Sequence, residues 1–220
     1  MYAVIRVNTD DHMDLPKLTD PCKQEYCDQN GYKFFPGQSK DFVYWSEPYT
    51  AYMNFNKMHY VLTVFKENPD IEWALFCESD AMITNFTIRI EDKIDNDYHV
   101  IFPVDRLTLN AGNFLIRNSP EGRAYFQHLL DVADNYKDHE WGEQQAIIES
   151  VEEYQDIIKI VPQKHMNCYE PQIYDYCDVS KDILGGSGIW EPGDWIVHWP
   201  GIRNEVRMQR AVEIAKLIVR

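Results

Sequence analysis

Residues 71–84 read IEWALFCESDAMIT, an apolar run that ends in two acids. The uninterrupted hydrophobicity of residues 73–77 is typical of a strand that is buried on both faces of a sheet. Glu78 and Asp80 follow this strand two positions apart, so their side chains point the same way along the pleat. Two carboxylates on one side of a strand end can provide oxygen ligands to a hard cation. The stretch therefore predicts a buried strand with a cation site at its carboxyl end.

Predicted strands and helices alternate on both sides of this stretch. Strands are expected at residues 2–7, 32–35, 98–103, 109–117, 157–161 and 195–199, and helices at residues 21–30, 50–68, 119–134, 142–151 and 204–219. Alternation of this kind favours an α/β fold with a mostly parallel central sheet flanked by helices. A length of 220 residues fits a single domain over residues 1–220, native or cut from a larger protein.

The composition argues against several classes of partner and site. A net charge of −15 makes a nucleic-acid partner unexpected, because phosphate backbones require clustered lysine and arginine. The five cysteines show no paired C-x₂-C spacing, so neither a zinc site nor a disulfide framework is expected. No segment approaches the roughly 18 apolar residues of a membrane span, and no signal peptide begins the chain. We expect a soluble, cytoplasmic protein, whose oligomeric state the sequence does not indicate.

Two short segments are candidates for ligand binding on residue type alone. Arg6, Val7 and Asn8 end the first predicted strand, and open α/β sheets bind ligands beyond the carboxyl ends of their strands. Lys57 lies at the edge of the apolar face of a predicted helix, where it can reach a phosphate. The alternatives are a solvated turn after the first strand and a solvated lysine on the helix.

Two further segments allow both a structural and a functional interpretation. Ala111 and Gly112 leave the backbone uncovered by side chains, as a ligand face requires, although a β-bulge needs glycine equally. Residues 163–188 form a long irregular segment rich in Tyr, Asp and Gly. A loop of that length inside one domain is usually functional, so we expect a lid or a binding loop.

His198 lies in the last predicted strand, far along the chain from Glu78 and Asp80. Two carboxylates and an imidazole suit Mn²⁺ or a similar first-row ion better than Ca²⁺, which prefers shells made only of oxygen. Mg²⁺ is the alternative cofactor. An ion held in this way leaves coordination positions open for a diphosphate. The competing interpretation is that His198, between two tryptophans, is a core residue.

Seven segments, taken in order, resemble one family of glycosyltransferases. They are Cys27-x₃-Gly31-Tyr32, Lys57 before an apolar helix, WALFCESDA (73–81), LNAGNFLIRN (109–118), EQQA (143–146), VPQ (161–163) and GDWIVHWPG (193–201). Together they are similar to the fungal galactosyl/mannosyltransferases and the plant xyloglucan xylosyltransferases, which have the GT-A fold. The resemblance covers residues 20 to 205 and implies a single-domain GT-A glycosyltransferase.

The resemblance implies which residues hold the metal. In the family a strand-end motif, usually Asp-Ser-Asp-Ala, binds Mn²⁺ and the nucleotide diphosphate, which implies these roles for Glu78 and Asp80, with Ser79 at the donor. The histidine of the final strand completes the metal shell, which implies His198. Glutamate in place of the first aspartate lengthens the arm by one methylene group. We therefore expect Asp80 and His198 to bind the cation directly and Glu78 to act directly or through water or the ribose.

The resemblance also implies residues that contact the donor nucleotide and sugar. A basic residue five positions after the histidine contacts the diphosphate, which implies Arg203. The other implied donor-binding positions are Lys57, Asp105, Asn110, Ala111, Gly112 and Gly201, to which the strand-end argument adds Arg6, Val7 and Asn8. Glu143 and Gln144 match an acidic residue and a glutamine near the anomeric carbon, and they are the candidate catalytic residues.

The activity implied is a metal-dependent transfer, with retention, of a hexose or pentose from a UDP-sugar donor to a glycan acceptor. Other functions remain open on the sequence. A metal-dependent nucleotide-sugar hydrolase or nucleotidyltransferase would use the same site, and a non-catalytic nucleotide-sugar or glycan-binding module would account for the altered acid at Glu78. The remaining alternative is a structural α/β domain without a site.

Overall fold

The computed structural model describes residues 1–8, 14–38, 50–171, 174 and 178–220. Within these ranges the strands are β1 (Tyr2–Asn8), β2 (Lys33–Gln38), β3 (Trp73–Cys77), β4 (Ala81–Ile83), β5 (Val100–Pro103), β6 (Asn113–Arg117), β7 (Ile158–Val161) and β8 (Ile196–His198). The α-helices are α1 (Pro16–Asn30), α2 (Asn56–Glu67), α3 (Pro120–Asp131), α4 (Glu143–Ser150) and α5 (Asn204–Ile214). Short 3₁₀ segments lie at Ala51–Phe55, Ile90–Asp92, Ala133–Tyr136, Gln163–His165 and Ala215–Leu217.

The central sheet has six strands in the order β2-β1-β3-β6-β5-β7. β1 pairs in parallel with β2 and β3, and β5 pairs in parallel with β7. β6 lies between β3 and β5 and is antiparallel to both, so it alone runs against the other five strands. The predicted α/β class with a mostly parallel sheet is confirmed.

β3 is buried along its whole length because helices cover both faces of the sheet. Trp73, Leu75 and Cys77 pack into one hydrophobic cluster, whereas Ala74 and Phe76 pack into the other. Successive side chains of a strand point to opposite faces, so a strand at the centre of two cores must be apolar throughout. Burial on both faces of the sheet therefore explains the uninterrupted apolar run of residues 73–77.

The helices divide between the two faces of the sheet. The cluster that contains Leu75 includes residues of α1 and α5, such as Tyr26 and Ala211. The cluster that contains Phe76 includes residues of α2, α3 and α4, such as Met58 and Phe126. This arrangement leaves the carboxyl end of β3, with its acids, at the edge of the sheet between the two layers.

His198 lies outside the central sheet. β8 pairs with β4 in a separate two-stranded antiparallel sheet, in which Ala81 lies opposite His198. The acids and the histidine are therefore not brought together by neighbouring strands of the central sheet. The antiparallel pairing of β4 with β8, which joins segments about 115 residues apart in sequence, does so instead.

Several element boundaries differ from those predicted. α1 begins at Pro16 and contains Pro21 inside it, whereas the sequence indicated a start at the second proline. The predicted helix 50–68 begins as a 3₁₀ segment before α2, and the last helix ends at Ile214. Ser119 caps the start of α3, because its hydroxyl accepts a hydrogen bond from the Gly122 amide at 3.0 Å. Among the described residues, no helix combines the length and apolar character needed to span a membrane.

Candidate active site

A cavity of about 240 Å³ opens beside the residues that follow β3, and we call it the first cavity. Its lining residues are Asn54, Lys57, Glu78, Ser79, Asp80, Asn110, Gly112, Glu143, Gln144, His198, Pro200, Gly201 and Arg207. Most of the residues that the sequence indicated therefore meet in one place. Arg6, Val7, Asn8, Asp105, Ala111 and Arg203 are the predicted site residues that do not line it.

Asp80 and His198 meet in the first cavity as the pairing of β4 with β8 requires. The backbone of β8 is fixed on both sides, since the His198 amide donates to the Cys168 carbonyl at 2.8 Å and the Trp199 amide donates to the Asp80 carbonyl at 3.0 Å. The His198 Nε2 atom lies 3.2 Å from Asp80 Oδ1, and both side chains are buried. The sequence-predicted pairing of this carboxylate with this imidazole is thus present.

The tautomer of His198 follows from its other ring nitrogen. Nδ1 lies 2.7 Å from Asn167 Oδ1, and the Asn167 amide nitrogen is turned toward the Val104 carbonyl at 3.5 Å. Asn167 Oδ1 is then the acceptor, so Nδ1 carries a hydrogen and Nε2 is the ring nitrogen that faces Asp80. Nε2 and Asp80 Oδ1 lie 3.2 Å apart, and either a proton on Nε2 or a cation between the two atoms accounts for that distance.

Arg207 completes this group, which we call the Asp80 cluster (Asp80, His198, Arg207). Its Nη2 lies 2.9 Å from Asp80 Oδ2, and its Nε donates to the Trp199 carbonyl at 2.9 Å. The sequence reasoning missed Arg207 and selected Arg203, which is exposed at the start of α5 and outside the cavity. The sequence did contain a signal for Arg207, because it follows Arg203 by four residues, which is one turn of a helix.

A second group of charges, the Lys57 cluster (Lys57, Glu78, Glu143), also lines the first cavity. The Lys57 ammonium lies 2.9 Å from Glu78 Oε2 and 2.8 Å from Glu143 Oε1, and it donates to the Ala111 carbonyl at 3.1 Å. An ammonium group has three hydrogens, and these three oxygens use all of them. Lys57 therefore has no donor left for a phosphate in this arrangement, and the predicted contact with the donor, which needs one of these partners to be displaced, stays a prediction.

Ion pairing and burial act in opposite directions within the Lys57 cluster. Burial alone would lower the pKa of Lys57, but Glu143 and Glu78 outweigh it and hold that pKa above its ordinary value. Burial raises the pKa of Glu143, and Lys57 opposes the rise without cancelling it. Glu143 Oε2 is buried and has no hydrogen-bond partner among the described residues. Lys57 thus stays charged, and Glu143 keeps one acceptor atom unsatisfied.

The predicted three-ligand metal shell is not assembled. Glu78 binds Lys57, and within the described ranges no group of three or more His, Cys, Asp and Glu side chains lies close enough to hold a metal ion. The longer arm of glutamate provides a physical reason, because it lets the carboxylate reach the ammonium on α2. The pair Asp80 and His198 remains as a possible two-ligand centre, and its role stays a prediction.

Gly112 lies against the imidazole of His198. A Cβ atom at this position would overlap the ring carbon Cε1 of His198, although the backbone of Gly112 is not in the left-handed region. The turn around it is held by Asn110 Oδ1, which accepts from the Gly112 amide at 2.9 Å, and by Gln144 Oε1, which accepts from the Ala111 amide at 3.1 Å. Glycine is thus required here for close approach of backbone to side chain.

Asp105 organises the turn before β6 and does not line the first cavity. Its Oδ1 accepts from the amides of Leu107 and Thr108 at 2.7 and 3.1 Å. Its Oδ2 accepts from Asn110 at 3.2 Å and from the Tyr169 hydroxyl at 3.0 Å. With four partners of its own, Asp105 stabilises the loop. The predicted contact with a sugar hydroxyl stays a prediction.

The residues at the end of β1 have structural partners. Arg6 forms a buried ion pair with Asp20 and donates to the Gly37 carbonyl at 2.6 Å, and it lines a different cavity beside α1. Ser79 donates to the Val7 carbonyl at 3.1 Å, which ties the acid turn to β1. Asn8 is buried and lies 3.4 Å from Gln38 Oε1. The predicted turn residues Thr9 and Asp10 lie outside the described residues.

A second cavity of about 560 Å³ adjoins the first one. The two share six lining residues, which are Asn54, Asn110, Glu143, Gln144, Pro200 and Gly201. Side chains found only in the second cavity include Asp105, Arg106, Leu107, Glu140 and Trp141. Glu143 and Gln144 therefore lie at the junction of two spaces.

The chain is similar in sequence to galactosyltransferases. The model of the galactosyl transferase GMA12/MNN10 family matches residues 8–96 of the chain. An alpha-1,2-galactosyltransferase of Schizosaccharomyces pombe is 25% identical over 223 residues, which cover 81% of this chain and 54% of the relative. The chain spans about half the length of the curated relatives that it matches.

Comparison with solved structures defines the fold. A glycosyltransferase involved in the glycosylation of the major capsid of PBCV-1 matches with a TM-score of 0.75 and 14% identity, covering 96% of this chain and 98% of that one. The galactosyltransferase LgtC, solved with donor and acceptor sugar analogs, matches with a TM-score of 0.53 and 11% identity over 99% and 96% of the two chains. The chain has the GT-A glycosyltransferase fold and resembles the galactosyl transferase GMA12/MNN10 family, as its sequence predicted.

Proposed function

We propose that this chain is a metal-dependent glycosyltransferase domain that transfers a hexose or pentose from a UDP-sugar to a glycan hydroxyl, with retention. The observation that carries the proposal is the Asp80–His198 pair, in which a carboxylate oxygen and an imidazole nitrogen lie 3.2 Å apart inside the first cavity of a GT-A fold. The names of the S. pombe relatives favour galactose among the possible sugars.

Mn²⁺ fits the Asp80–His198 pair, with Mg²⁺ as the alternative. A carboxylate oxygen and an imidazole nitrogen with its lone pair outward are ligands that first-row divalent ions accept. Asn167 holds the other ring nitrogen, as partners of metal-binding histidines commonly do. A bound ion would supply positive charge that stabilises a leaving diphosphate.

Arg207 is the side chain best placed to bind the diphosphate. A guanidinium group is always charged and offers paired N–H donors that match phosphate oxygens. Arg207 lines the first cavity next to the proposed cation ligands, whereas Arg203 is exposed outside it. The proposed diphosphate contact therefore moves from Arg203 to Arg207, one turn further along α5.

The transfer reaction exchanges one bond at the anomeric carbon for another. The bond from the anomeric carbon to the diphosphate oxygen breaks, and the diphosphate leaves with both electrons. The oxygen of the glycan hydroxyl forms the new bond to that carbon, and its proton passes to the departing diphosphate. Charge develops on the diphosphate, so preorganised positive groups such as Arg207 stabilise the transition state.

One observation favours a second candidate, a non-catalytic module that binds a nucleotide sugar or glycan. Glu78 forms an ion pair with Lys57, whereas Asp80 lies beside His198. The acid motif therefore contributes one carboxylate, that of Asp80, to the two proposed cation ligands. Binding alone would tolerate such a change better than catalysis does, because catalysis needs stronger stabilisation of the transition state than of the bound substrate.

Donor turnover separates these candidates. The protein is incubated with Mn²⁺ and a panel of UDP-galactose, UDP-glucose and UDP-xylose, and released UDP is measured with and without oligosaccharide acceptors. The transferase proposal predicts UDP release that rises on addition of an acceptor and is lost in Asp80→Asn. Release unaffected by every acceptor indicates a hydrolase, and binding without release indicates the module.

A further inference from the structure

Residues 167–170 of the long irregular segment pack against the carboxyl end of β8. This stretch contains both partners of His198 described above, one for its amide and one for its imidazole. In the same stretch Glu170 accepts a hydrogen bond from the indole of Trp199, with 2.6 Å between Oε2 and Nε1. Glu170 is 2% exposed and lines neither the first nor the second cavity. Any effect of Glu170 on a ligand must therefore act through other residues.

The same carboxylate also binds α5. Arg210 Nη2 lies 2.6 Å from Glu170 Oε1, and Arg210 Nε donates to Oε2 at 3.2 Å. A bidentate ion pair of this kind fixes orientation as well as distance, because the guanidinium and the carboxylate meet through two parallel hydrogen bonds. Since Oε2 also accepts from Trp199, the helix and the residue after β8 converge on one buried carboxylate. Glu170 thereby fixes α5 relative to the end of β8.

Arg207 is attached to both partners of Glu170. It precedes Arg210 by three residues, so the two side chains are neighbours on one face of α5. Its Nε donates to the Trp199 carbonyl at 2.9 Å, and its Nη2 lies 2.9 Å from Asp80 Oδ2 in the first cavity. A shift of the helix or of Trp199 would therefore move the guanidinium of Arg207 relative to Asp80.

Stability alone is a weak explanation for a buried carboxylate at this place. Moving a charge out of water costs free energy, and a buried ion pair replaced by well-packed apolar side chains often leaves a protein equally stable or more so. Fixed geometry is what the ionic arrangement adds, because three N–H groups must point at the two oxygens of Glu170. The geometry that it fixes is that of the residues around Arg207.

From these contacts we infer that Glu170 is a positioning residue for Arg207. It holds α5 through Arg210 and holds Trp199 through its indole, and in this way it keeps the guanidinium of Arg207 in the first cavity. Residues 167–170 thus brace the site, in a part of the chain where the sequence indicated a lid or a binding loop. The inference rests on the proposed function, in which Arg207 binds the diphosphate.

A double-mutant cycle on UDP binding tests the inference with the intact chain. Calorimetry with UDP and Mn²⁺ compares wild type, Glu170→Gln, Arg207→Gln and the double variant Glu170→Gln/Arg207→Gln. Glu213→Gln is the matched control, because Glu213 also pairs with Arg210 but its side chain is 43% exposed and lines neither cavity. Urea unfolding of every variant measures stability separately from affinity.

Arg210→Lys provides a second route to the same test. The Arg210 side chain is 24% exposed, so a lysine is accommodated there, and the variant keeps the positive charge while it loses the bidentate contact with Glu170. It is measured alone and combined with Arg207→Gln.

Glu170→Gln should weaken UDP binding about fivefold or more when Arg207 is present, and Arg210→Lys should act in the same direction. In the Arg207→Gln background each should add less than about a twofold loss, because the group that is positioned has been removed. Glu213→Gln should leave the affinity within about a factor of two of wild type. A merely structural role would lower the free energy of unfolding in both backgrounds and leave the UDP affinity of the folded protein unchanged.

UDP affinity equal to wild type in Glu170→Gln overturns the inference. Equal losses from Glu170→Gln in the two backgrounds also overturn it, because Glu170 would then act through groups other than Arg207. If Glu170→Gln does not fold, the cycle of Arg210→Lys with Arg207→Gln decides by the same criteria. Wild type that does not bind UDP contradicts the proposed function and this role together, whereas failure of the coupling in a wild type that does bind UDP contradicts the role of Glu170 alone.

Discussion

The two charged clusters that line the first cavity differ in the group at their centre. In the Lys57 cluster one buried ammonium uses its three hydrogens on Glu78, Glu143 and a backbone carbonyl. In the Asp80 cluster one carboxylate oxygen faces a guanidinium, and the other faces the Nε2 atom of His198. We call the first cluster closed, because its cation has three oxygen partners, and the second open, because a proton or a cation can join Asp80 to His198. We expect the closed cluster to stabilise the fold and the open cluster to contact the ligand.

Removing the cation of the closed cluster should have the largest effect on stability. Lys57→Met leaves two carboxylates near the core without a counter-ion, and breaking a buried pair in this way costs about 3–5 kcal/mol. Urea unfolding measures the loss. The double variant Lys57→Met/Glu143→Gln removes the most buried unpaired charge and should recover part of it. Equal stability of Lys57→Met and wild type would show that the cluster is not a structural ion pair.

Crowding the open cluster should cost activity rather than stability. Gly112→Ala places a methyl group against the His198 ring, which must then turn away from Asp80. A displacement of about 1 Å at a reacting group lowers the rate roughly a hundredfold, so we expect that loss in donor turnover. Turnover within a factor of two of wild type would mean that the imidazole position does not matter.

Arg207 in α5 and Arg203 just before the helix give a matched pair within the chain. Charge-assisted hydrogen bonds contribute about 1.5–3 kcal/mol, so Arg207→Gln should weaken UDP binding by roughly tenfold or more. Arg203→Gln should leave the affinity within about a factor of two, because that side chain is exposed outside the cavity. Titration calorimetry with UDP and Mn²⁺ compares them. The reverse order of effects would restore Arg203 as the diphosphate ligand.

The pH profile of transfer should report the ionisation of Glu143, which lines both the first and the second cavity. Burial raises the pKa of Glu143 above its ordinary value, so its protonated form persists to higher pH than in an exposed glutamate. The ionised form accepts a hydroxyl hydrogen bond, and it is lost as pH falls through the raised pKa. Transfer should therefore decline on the acidic side in wild type, and Glu143→Gln should lack that decline at its lower rate. An identical acidic limb in both proteins would assign it to another group.

The sequence allowed the site's centre to be predicted because its signals are local. The apolar run of β3 followed by Glu78 and Asp80 indicates a buried strand end, and both are present. The resemblance to a known family then paired Asp80 with His198, although the two are joined by the β4–β8 sheet rather than by the central one. Pairing between distant strands depends on the whole fold and leaves no local trace.

The partners of charged side chains could not be predicted in the same way. The sequence places Lys57 on the edge of a helix but does not show that Glu78 and Glu143 converge on it from two other elements. The choice between Arg203 and Arg207 depends on where α5 begins and on its rotation, and helix boundaries are the least certain part of a sequence prediction. The second cavity was not predicted either. It depends on the turn from Trp141 to Glu143, and the family motif in this part of the sequence begins only at Glu143.

Calorimetry of UDP binding with and without Mn²⁺ tests the central claim most directly, with Asp80→Asn and the exposed-site control Asp131→Asn measured beside wild type. The claim predicts that Mn²⁺ strengthens UDP binding in wild type and Asp131→Asn, and that Asp80→Asn loses this dependence. UDP affinity that does not change with Mn²⁺ in wild type, or metal dependence retained by Asp80→Asn, would contradict it.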